Sequence, residues 1–265
     1  MRWLKEMGTL DEFFERVRNA DKRVLITDYD GTLAPFVYDR NRAKPYLGVQ
    51  EVLEKINANP GSRVALVTGR TIEDQRRMMN LRTPTEIWGT HGWERFSADG
   101  NHRVWPIGEK HSRGLEEAIG WATREQLLER IETKPATVAL HWRAAVGEER
   151  ERIMKITEEK FTSISEQSGL LLHRFDGGLE LRTPGRDKGD AVKMILEELG
   201  QGNHAVAYMG DDTTDEDAFR ALDGMALRIL IRTEQRDTEA DLWLRPPREM
   251  IRFLERWAEA TTPAS

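Results

Sequence analysis

The stretch Arg23–Phe36, RVLITDYDGTLAPF, places two carboxylates immediately after an apolar run. The run Val24–Thr27 is short, apolar and largely β-branched, which is typical of a strand buried on both faces of a sheet. Asp28 and Asp30 follow this run directly. In open α/β sheets, ligands bind outside the carboxyl ends of the strands. The stretch therefore predicts a functional site at the end of a buried parallel strand.

Strand and helix patterns alternate on both sides of the middle of the chain. Apolar runs predict further strands at Val64–Thr68, Ile87–Trp88, Ala205–Met209 and Leu227–Ile231. Helical spacing of apolar residues predicts helices at Asp11–Ala20, Val49–Ala58, Thr71–Met79, Lys188–Leu199, Asp215–Leu222 and Pro247–Ala260. Alternation of this kind predicts an α/β fold, a doubly wound parallel sheet with helices on both faces.

The middle of the chain has a different pattern. From about Phe96 to Leu181 the predicted order is strand, long helix, strand, long helix and two strands. The last two strands flank Asp176-Gly177-Gly178, which is typical of a hairpin turn. We interpret residues 96–182 as an inserted α+β cap domain. Residues 1–95 and 183–265 then form the core domain.

The composition excludes several classes of protein. The 265 residues include no cysteine, so disulfides, thiolate metal sites and a cysteine nucleophile are excluded. The net charge is −6, and no basic stripe runs along the chain, so nucleic acid is not an expected partner. No apolar run is long enough to cross a bilayer, and the charged start of the chain lacks a secretory signal. We expect a cytoplasmic protein with no membrane partner.

Several carboxylates follow predicted strands of the core, namely Asp28, Asp30, Asp211, Asp212 and Asp215. If the strands are neighbours, these groups converge at one edge of the sheet, and like charges at that density require a cation. Oxygen ligands without cysteine suit Mg²⁺. An isolated Asp-x-Asp after a strand is more often a turn or a helix cap. Its combination here with Thr68 at a strand end, Lys188 at a helix start and GDDTTDED favours a metal site.

Four segments resemble the four motifs of the haloacid dehalogenase superfamily of phosphohydrolases, namely DYDGTL, VTGR, DKGDAV and GDDTTDED. They lie between Asp28 and Asp217, and the place of the insertion resembles the C2-type cap of that superfamily. The resemblance implies that Asp28 is a nucleophile that forms an aspartyl-phosphate. It implies that Asp30 acts as the general acid and then as the general base.

The same resemblance implies a Mg²⁺ site at the core. The ion would be bound by the Asp28 side chain, the Asp30 carbonyl and Asp211, and Asp215 would bind it directly or through water.

Two further core residues have roles implied by the resemblance. Thr68 would hydrogen-bond a phosphoryl oxygen, and Lys188 would place a positive charge beside that oxygen and beside Asp28. Each has a structural alternative. Lys188 would otherwise be an exposed residue in the first turn of a helix, and Thr68 would otherwise cap the next helix.

Longer segments are similar to the trehalose-6-phosphate phosphatase family, namely DYDGTLAP, HGWE (His91–Glu94), KPATVALHWR (Lys134–Arg143) and LELRTPGRDKG (Leu179–Gly189). This resemblance covers most of the chain and implies hydrolysis of trehalose 6-phosphate to trehalose and phosphate. It implies that the substrate is bound by Gly69, Arg70, His91, Glu94, Lys134, His141, Arg143 and Glu180.

Three positions depart from the usual pattern of that family, namely Pro135, Trp142 and Thr183. They do not touch the core motifs, but they bear on the identity of the sugar. A phosphatase for glucosyl- or mannosyl-glycerate phosphate is therefore the alternative function.

The cap residues allow more detailed expectations. Strand alternation puts His141 and Arg143 on one face and Trp142 on the other, so Trp142 is expected in the core of the cap. Glu180 is expected to accept a hydrogen bond from a sugar hydroxyl rather than to form a surface salt bridge. Lys134 is either a sugar ligand or a solvated lysine at the end of a helix.

Two other functional classes fit the sequence less well. A phosphoacceptor receiver module also has an aspartate after a strand, but it is much shorter and needs no second carboxylate such as Asp30. A catalytically silent sugar-phosphate sensor would be expected to lack Asp28, Asp30 or Lys188. We expect a monomeric enzyme that acts on a small sugar phosphate, and association with a trehalose-phosphate synthase is the alternative.

Overall fold

The computed structural model describes residues 1–5, 8–37 and 42–262. The chain divides into two compact units, Met1–Arg103 with Asp187–Ser265, and Val104–Arg186. We call the first the core unit and the second the cap unit. The boundaries expected from the sequence, after residues 95 and 182, lie somewhat earlier in the chain.

The described strands, in chain order, are β1 (Arg2–Trp3), β2 (Lys22–Thr27), β3 (Ser62–Val67), β4 (Glu86–Gly89), β5 (Glu94–Phe96), β6 (His102–Val104), β7 (Ile131–Lys134), β8 (Thr137–His141), β9 (Leu171–Phe175), β10 (Gly178–Arg182), β11 (His204–Gly210), β12 (Leu227–Ile231) and β13 (Leu242–Leu244). The described α-helices are α1 (Leu10–Asn19), α2 (Val49–Ala58), α3 (Ile72–Met79), α4 (Glu109–Arg124), α5 (Gly147–Ser168), α6 (Lys188–Leu199), α7 (Asp215–Ala221) and α8 (Arg248–Thr261).

The core unit is built on one sheet with the strand order β1-β13-β12-β11-β2-β3-β4-β5-β6. The strands from β13 to β4 run parallel to their neighbours, whereas β1 and β5 pair antiparallel to β13 and β4. From β2, the chain builds outward first through β3 and β4 and later through β11 to β13. The order therefore reverses between β2 and β11, which is the place where open α/β sheets bind ligands.

The central strands are buried on both faces. Leu25, Leu66 and Met209 belong to an apolar cluster that includes residues of α1, α2 and α8. The alternate residues Ile26 and Tyr208 are also buried, and Tyr208 packs edge-to-face against Phe219 of α7. Because neither face is polar, these strands read as continuous apolar runs. The predicted doubly wound α/β fold is confirmed.

The cap unit contains an antiparallel sheet with the order β7-β8-β10-β9. One face of this sheet packs with α4 and α5 in a second apolar cluster, which includes Leu140, Leu181 and Phe161. Trp142 belongs to the same cluster and is 2% exposed, so its predicted place in the core of the cap is confirmed. The inserted unit therefore has the α+β architecture that was predicted.

Some short elements were not predicted from the sequence. The strands β1, β5, β7 and β13 have two to four residues each, which is too short for a period of two to stand out. Pairing with a neighbouring strand, rather than local preference, determines their conformation. Among the described helices, none is both long enough and apolar enough to cross a membrane.

Candidate active site

The turn after β2 carries both carboxylates of the DYDGT segment. The Asp28 N–H donates to the Met209 carbonyl of β11 at 2.8 Å, so strand pairing continues one residue beyond β2. The chain then turns sharply, because the Tyr29 carbonyl accepts hydrogen bonds from the N–H groups of residues 32–34 at 2.9 to 3.2 Å. This turn holds the Asp28 side chain in the interior, where it is 4% exposed.

The loop after β11 brings Asp211 against this turn. Gly31 has a φ of +86°, and a Cβ at this position would lie 2.1 Å from Asp211 Oδ2. Glycine is therefore required at position 31, for both its conformation and the space it leaves. Asp211 Oδ1 also accepts a hydrogen bond from Thr32 Oγ1 at 3.4 Å.

Asp215, the first residue of α7, organises the same loop. Its Oδ2 accepts hydrogen bonds from the N–H groups of Asp211 and Asp212, each at 3.0 Å. Its Oδ1 accepts hydrogen bonds from Lys188 Nζ at 2.8 Å and from the hydroxyl of Tyr208 at 2.6 Å. A carboxylate has about four lone-pair positions, so these four hydrogen bonds occupy Asp215 completely.

Carboxylate oxygens of Asp28, Asp211 and Asp215 lie within 4.8 Å of one another, a spacing that could hold a metal ion. The convergence expected from the sequence thus includes three of the five carboxylates. Asp212 does not join them, because it is exposed and its Oδ1 accepts from the N–H of Thr213. The carboxylate of Asp30 binds Arg70 instead.

Burial raises the pKa of two of these carboxyl groups. The pKa of Asp28 is raised to about 7, although the neighbouring charge of Lys188 opposes the shift. The pKa of Asp211 is raised to about 9 by burial together with the charges of Asp28 and Asp215. The ionised cluster is therefore unfavourable without an added positive charge, and an all-oxygen donor set suits a hard cation such as Mg²⁺.

Lys188 lies inside this cluster. Its Nζ is 2.9 Å from Asp28 Oδ1 and 2.8 Å from Asp215 Oδ1, and the side chain is 3% exposed. Burial lowers the pKa of Lys188, but the charges of Asp215 and Asp28 outweigh this effect and raise it above its ordinary value. The alternative of an exposed first-turn lysine is therefore wrong.

Thr68 follows β3 and is also buried. Its N–H donates to the Trp88 carbonyl at 2.9 Å, and its Oγ1 accepts from the N–H of Arg70 at 3.2 Å. The next helix, α3, is capped by Thr71, whose side chain accepts from the N–H of Asp74. The alternative role of Thr68 as a helix cap is therefore wrong.

The segment Thr90–Glu94 forms a strained turn beside this strand end. Thr90 and His91 have φ values of +48° and +54°, which β-branched and bulky residues rarely adopt. The turn is held by Thr90 N–H donating to the Arg70 carbonyl at 2.7 Å, and by Thr90 Oγ1 donating to Glu94 Oε1 at 2.7 Å. The His91 ring covers Gly69, where a Cβ would lie 2.7 Å from ring atoms.

The cap sheet has a polar face, which we define by Glu132, Lys134, His141, Glu180 and Arg182. The strand registers pair Lys134 with Thr137 and Glu180 with Ala139, and His141 lies on the same side of β8 as both. Lys134 Nζ is 3.5 Å from Glu132 Oε1, and His141 Nε2 is 3.1 Å from Glu132 Oε2. Three predicted cap residues therefore share one face with Glu132.

Lys134 and Glu180 are both buried within the polar face. Lys134 ends β7 and its side chain is 7% exposed, so the alternative of a solvated lysine at a helix end is wrong. Glu180 Oε2 accepts from Arg182 Nε at 2.6 Å, while Oε1 has no hydrogen-bond donor among the described residues. Burial raises the pKa of Glu180, but the charges of Lys134 and Arg182 outweigh burial and lower it overall.

Arg143 lies just beyond β8 and contacts the turn between β9 and β10. Its Nη2 donates to the Asp176 carbonyl and lies 3.2 Å from Asp176 Oδ2. In this conformation Arg143 supports the predicted hairpin turn.

A sequence model described as trehalose-phosphatase matches residues 26–245, which include all four core motifs and the whole cap unit. The chain belongs to the trehalose-phosphatase family. It is 30% identical to trehalose-phosphate phosphatase B of Arabidopsis thaliana, over 97% of this chain and 72% of that protein. It is 29% identical to the trehalose-phosphate phosphatase of Mycobacterium marinum, over 87% of this chain and 60% of that protein. The family predicted from the sequence is confirmed.

Solved structures share the fold of this trehalose-phosphatase family member. The C-terminal domain of trehalose-6-phosphate phosphatase from C. albicans has a TM-score of 0.75 at 17% identity, covering 98% of this chain and 99% of that one. A haloacid dehalogenase-like hydrolase from Bacteroides thetaiotaomicron has a TM-score of 0.61 at 16% identity, covering 89% and 99%. The predicted haloacid dehalogenase-like fold is confirmed.

The sequence does not identify two residues that take part in these sites, one on the polar face of the cap sheet and one beside the carboxylate cluster. Glu132 stands in the unpredicted strand β7, whose four residues are too few for a period of two to stand out, so no local signal marks it. Tyr208 belongs to a strand that the sequence shows only as an apolar run, and nothing local indicates that its hydroxyl reaches Asp215.

Proposed function

We propose that this member of the trehalose-phosphatase family hydrolyses trehalose 6-phosphate to trehalose and inorganic phosphate. One observation carries the chemical part of the proposal: the buried Asp28 carboxylate lies 2.9 Å from Lys188 Nζ, in a cluster with Asp211 and Asp215. Family membership, established over both units, supports the choice of substrate.

In the proposed first half-reaction, Asp28 attacks phosphorus. A bond forms between an Asp28 carboxylate oxygen and phosphorus, the bond from phosphorus to the sugar oxygen breaks, and that oxygen takes the proton of Asp30. In the second, Asp30 takes a proton from water as the water oxygen attacks phosphorus, and the bond to Asp28 breaks. Both carboxyl groups are then restored.

Two buried residues would assist both steps. Lys188 holds a positive charge against Asp28 and would lie close to the phosphoryl oxygens, where it offsets the negative charge of the transition state. Thr68 would donate a hydrogen bond from its hydroxyl group to a phosphoryl oxygen. Its Oγ1 accepts a hydrogen bond from Arg70 N–H, which leaves the hydroxyl hydrogen available.

We further propose that Mg²⁺ is bound by the Asp28 carboxylate, the Asp30 carbonyl and Asp211. Bound there, the ion would offset the repulsion between the phosphate and the nucleophile. Asp215 would act indirectly, because its four hydrogen bonds are already directed at Lys188, Tyr208 and the Asp211–Asp212 backbone. The raised pKa values of Asp28 and Asp211 support the need for a cation.

For the sugar, we propose that the polar face of the cap sheet supplies the hydroxyl ligands. Glu180 Oε1 is a buried carboxylate oxygen without a donor among the described residues, which suits it to accept from a hydroxyl group. Lys134, 3.9 Å from that oxygen, would donate to a neighbouring hydroxyl. His91, Glu94, His141 and Arg143 remain predicted substrate-binding residues.

The first test measures phosphate release from trehalose 6-phosphate with Mg²⁺, beside glucose 6-phosphate and glucosylglycerate phosphate. Asp28→Asn is the blank. We expect rapid and selective release from the trehalose ester and none from the variant. Selective phosphate release from another ester would contradict trehalose 6-phosphate as the substrate, but it would leave the proposed reaction at Asp28 in place. Turnover by Asp28→Asn at the wild-type rate would contradict the role of Asp28 as the nucleophile.

A second test addresses the polar face of the cap sheet. Lys134→Met should raise the KM for trehalose 6-phosphate by about tenfold or more, because a buried charged hydrogen-bond donor is lost, and should change kcat less. Lys193→Met removes an exposed lysine of α6 and should change neither. An unchanged KM in Lys134→Met would argue against sugar binding at this face.

The cytoplasmic location and the monomeric state remain predictions. Light scattering of the purified chain tests the second, and association with a trehalose-phosphate synthase is the alternative that it would reveal on mixing.

A further inference from the structure

Arg70 is held against Asp30 by a partly buried two-point ion pair. Arg70 Nε donates to Asp30 Oδ2 at 2.7 Å, and Nη2 donates to Oδ1 at 2.6 Å. The Arg70 side chain is 2% exposed, whereas that of Asp30 is 28% exposed. The planar guanidinium therefore binds both carboxylate oxygens and limits the rotation of the carboxylate.

The surroundings of Arg70 restrict its own movement. Its N–H donates to Thr68 Oγ1 at 3.2 Å, and its carbonyl accepts from the N–H of Thr90 at 2.7 Å. Its guanidinium carbon lies 5.4 Å from the centre of the Tyr29 ring, within the range of a cation–π contact. The strained turn beginning at Thr90 is therefore one of the supports that fix Arg70.

We propose that Arg70 is a positioning residue for the acid–base carboxylate of Asp30, in place of the substrate-binding role expected from the sequence. The inference rests on the proposed function in one respect, the acid–base role of Asp30. Arg70 directs the Asp30 oxygens toward the leaving sugar oxygen in the first half-reaction and toward water in the second. A phosphoryl group would have to displace Asp30 to use the same guanidinium edge.

Arg70 could either position Asp30 or bind the phosphoryl group of the substrate. These two candidate roles predict different dependences of the hydrolysis rate on the leaving group. A sugar alkoxide is a poor leaving group and needs a proton, whereas p-nitrophenolate leaves without one. The value of kcat/KM reports substrate binding and the steps through formation of the aspartyl-phosphate, so it excludes the second half-reaction, in which Asp30 is the base. Loss of a positioned acid therefore affects the sugar ester selectively, and loss of a phosphate ligand affects both esters.

The experiment compares kcat/KM for trehalose 6-phosphate and p-nitrophenyl phosphate in the full chain. Arg70→Met should lower the first by about 100-fold or more, which is the usual contribution of general acid catalysis, and the second by less than about tenfold. Arg70→Lys keeps the charge without the fork and should show the same selectivity if Arg70→Met does not fold. Arg77→Met, which removes an exposed arginine of α3, is the control.

A double variant tests whether Arg70 acts through Asp30. Asp30→Asn alone should show the same leaving-group selectivity, and adding Arg70→Met should cause little further loss, because residues that act as a unit are not additive. Equal losses for both esters in the Arg70 variants, or additive losses in the double variant, would overturn the proposal.

Failure of the substrate proposal gives a different result. A wild type that hydrolyses p-nitrophenyl phosphate but not trehalose 6-phosphate contradicts the substrate, and the Arg70 comparison is then made with the sugar phosphate that it does hydrolyse. A wild type that hydrolyses no phosphate ester would overturn both proposals.

Discussion

Tyr208 shows how one hydroxyl can set the geometry of a charged cluster. It is fully buried in β11, and its hydroxyl donates to Asp215 Oδ1 at 2.6 Å. Burial, with the charge of Asp215 adding to it, raises the pKa of Tyr208 well above its ordinary value, so the hydroxyl keeps its proton. Asp215 is thereby held between Tyr208, Lys188 and the backbone of the Asp211 loop.

We predict that Tyr208→Phe lowers the free energy of unfolding by about 1.5 to 3 kcal/mol, because a buried hydrogen bond to a carboxylate is lost. Urea denaturation measures the change. Tyr29→Phe is the matched control, since its buried hydroxyl donates to the neutral Ala43 carbonyl at 2.6 Å and should cost about 0.5 to 1.5 kcal/mol. Equal losses in the two variants would show that the charge of Asp215 has no special effect.

At the scale of elements, α6 delivers Lys188 to the site. The helix begins at Lys188, and Asp187 caps it by accepting from the N–H of Asp190, whose side chain in turn accepts from the N–H of Asp187. The same reciprocal capping box occurs at α1, between Thr9 and Glu12. The cap at α6 therefore fixes both the start of the helix and the position of the lysine.

Loss of the α6 cap should affect catalysis as well as stability. Asp187→Ala should lower the free energy of unfolding by about 1 kcal/mol and also lower kcat, because Lys188 is the next residue. Thr9→Ala should cost about as much stability at α1 and leave kcat unchanged. Denaturation and steady-state kinetics on both variants test this, and a normal kcat in Asp187→Ala would separate the cap from the lysine.

At the scale of the whole molecule, the carboxylate cluster depends on the complete core sheet. Asp28 follows β2 and Asp211 follows β11, and these strands are adjacent in the sheet although the cap unit lies between them in sequence. Their ionised forms repel each other, and folding is what brings them together.

This repulsion predicts how Mg²⁺, bound at the proposed site, would stabilise the protein at different pH values. The folded pKa values, about 7 for Asp28 and about 9 for Asp211, lie above the unfolded values. Their contribution to the stability of the metal-free protein is thus fully present below the unfolded pKa, near 4, and is lost as the pH rises through about 7 to 9. Mg²⁺ bound at the proposed site would offset the repulsion, so its effect on stability should grow over the same pH range.

Calorimetry with Mg²⁺ or with a chelator tests this prediction. The increase in Tm caused by Mg²⁺ should be larger at about pH 8 than at about pH 6, by roughly 2 °C or more. Asp211→Asn removes one of the charges and should reduce the difference between the two pH values. A Mg²⁺ effect independent of pH would contradict the raised pKa values.

The alternation of elements, the inserted unit and the places of Asp28, Thr68 and Lys188 can be predicted from the amino-acid sequence alone. These features follow from local periodicity and from residues at the ends of strands and helices. They can therefore be recognised without knowing which segments contact one another in the fold. The family resemblance then connected those positions to phosphate chemistry, and the comparisons confirmed the family.

Which side chains meet became clear not from the sequence but from the folded structure. It paired Arg70 with Asp30 across 40 residues and joined Tyr208 to Asp215. It placed Lys134 at the end of β7, a strand whose conformation depends on pairing with β8. Hydrogen bonds and ion pairs of this kind depend on strand order and side-chain packing, which local sequence patterns do not contain.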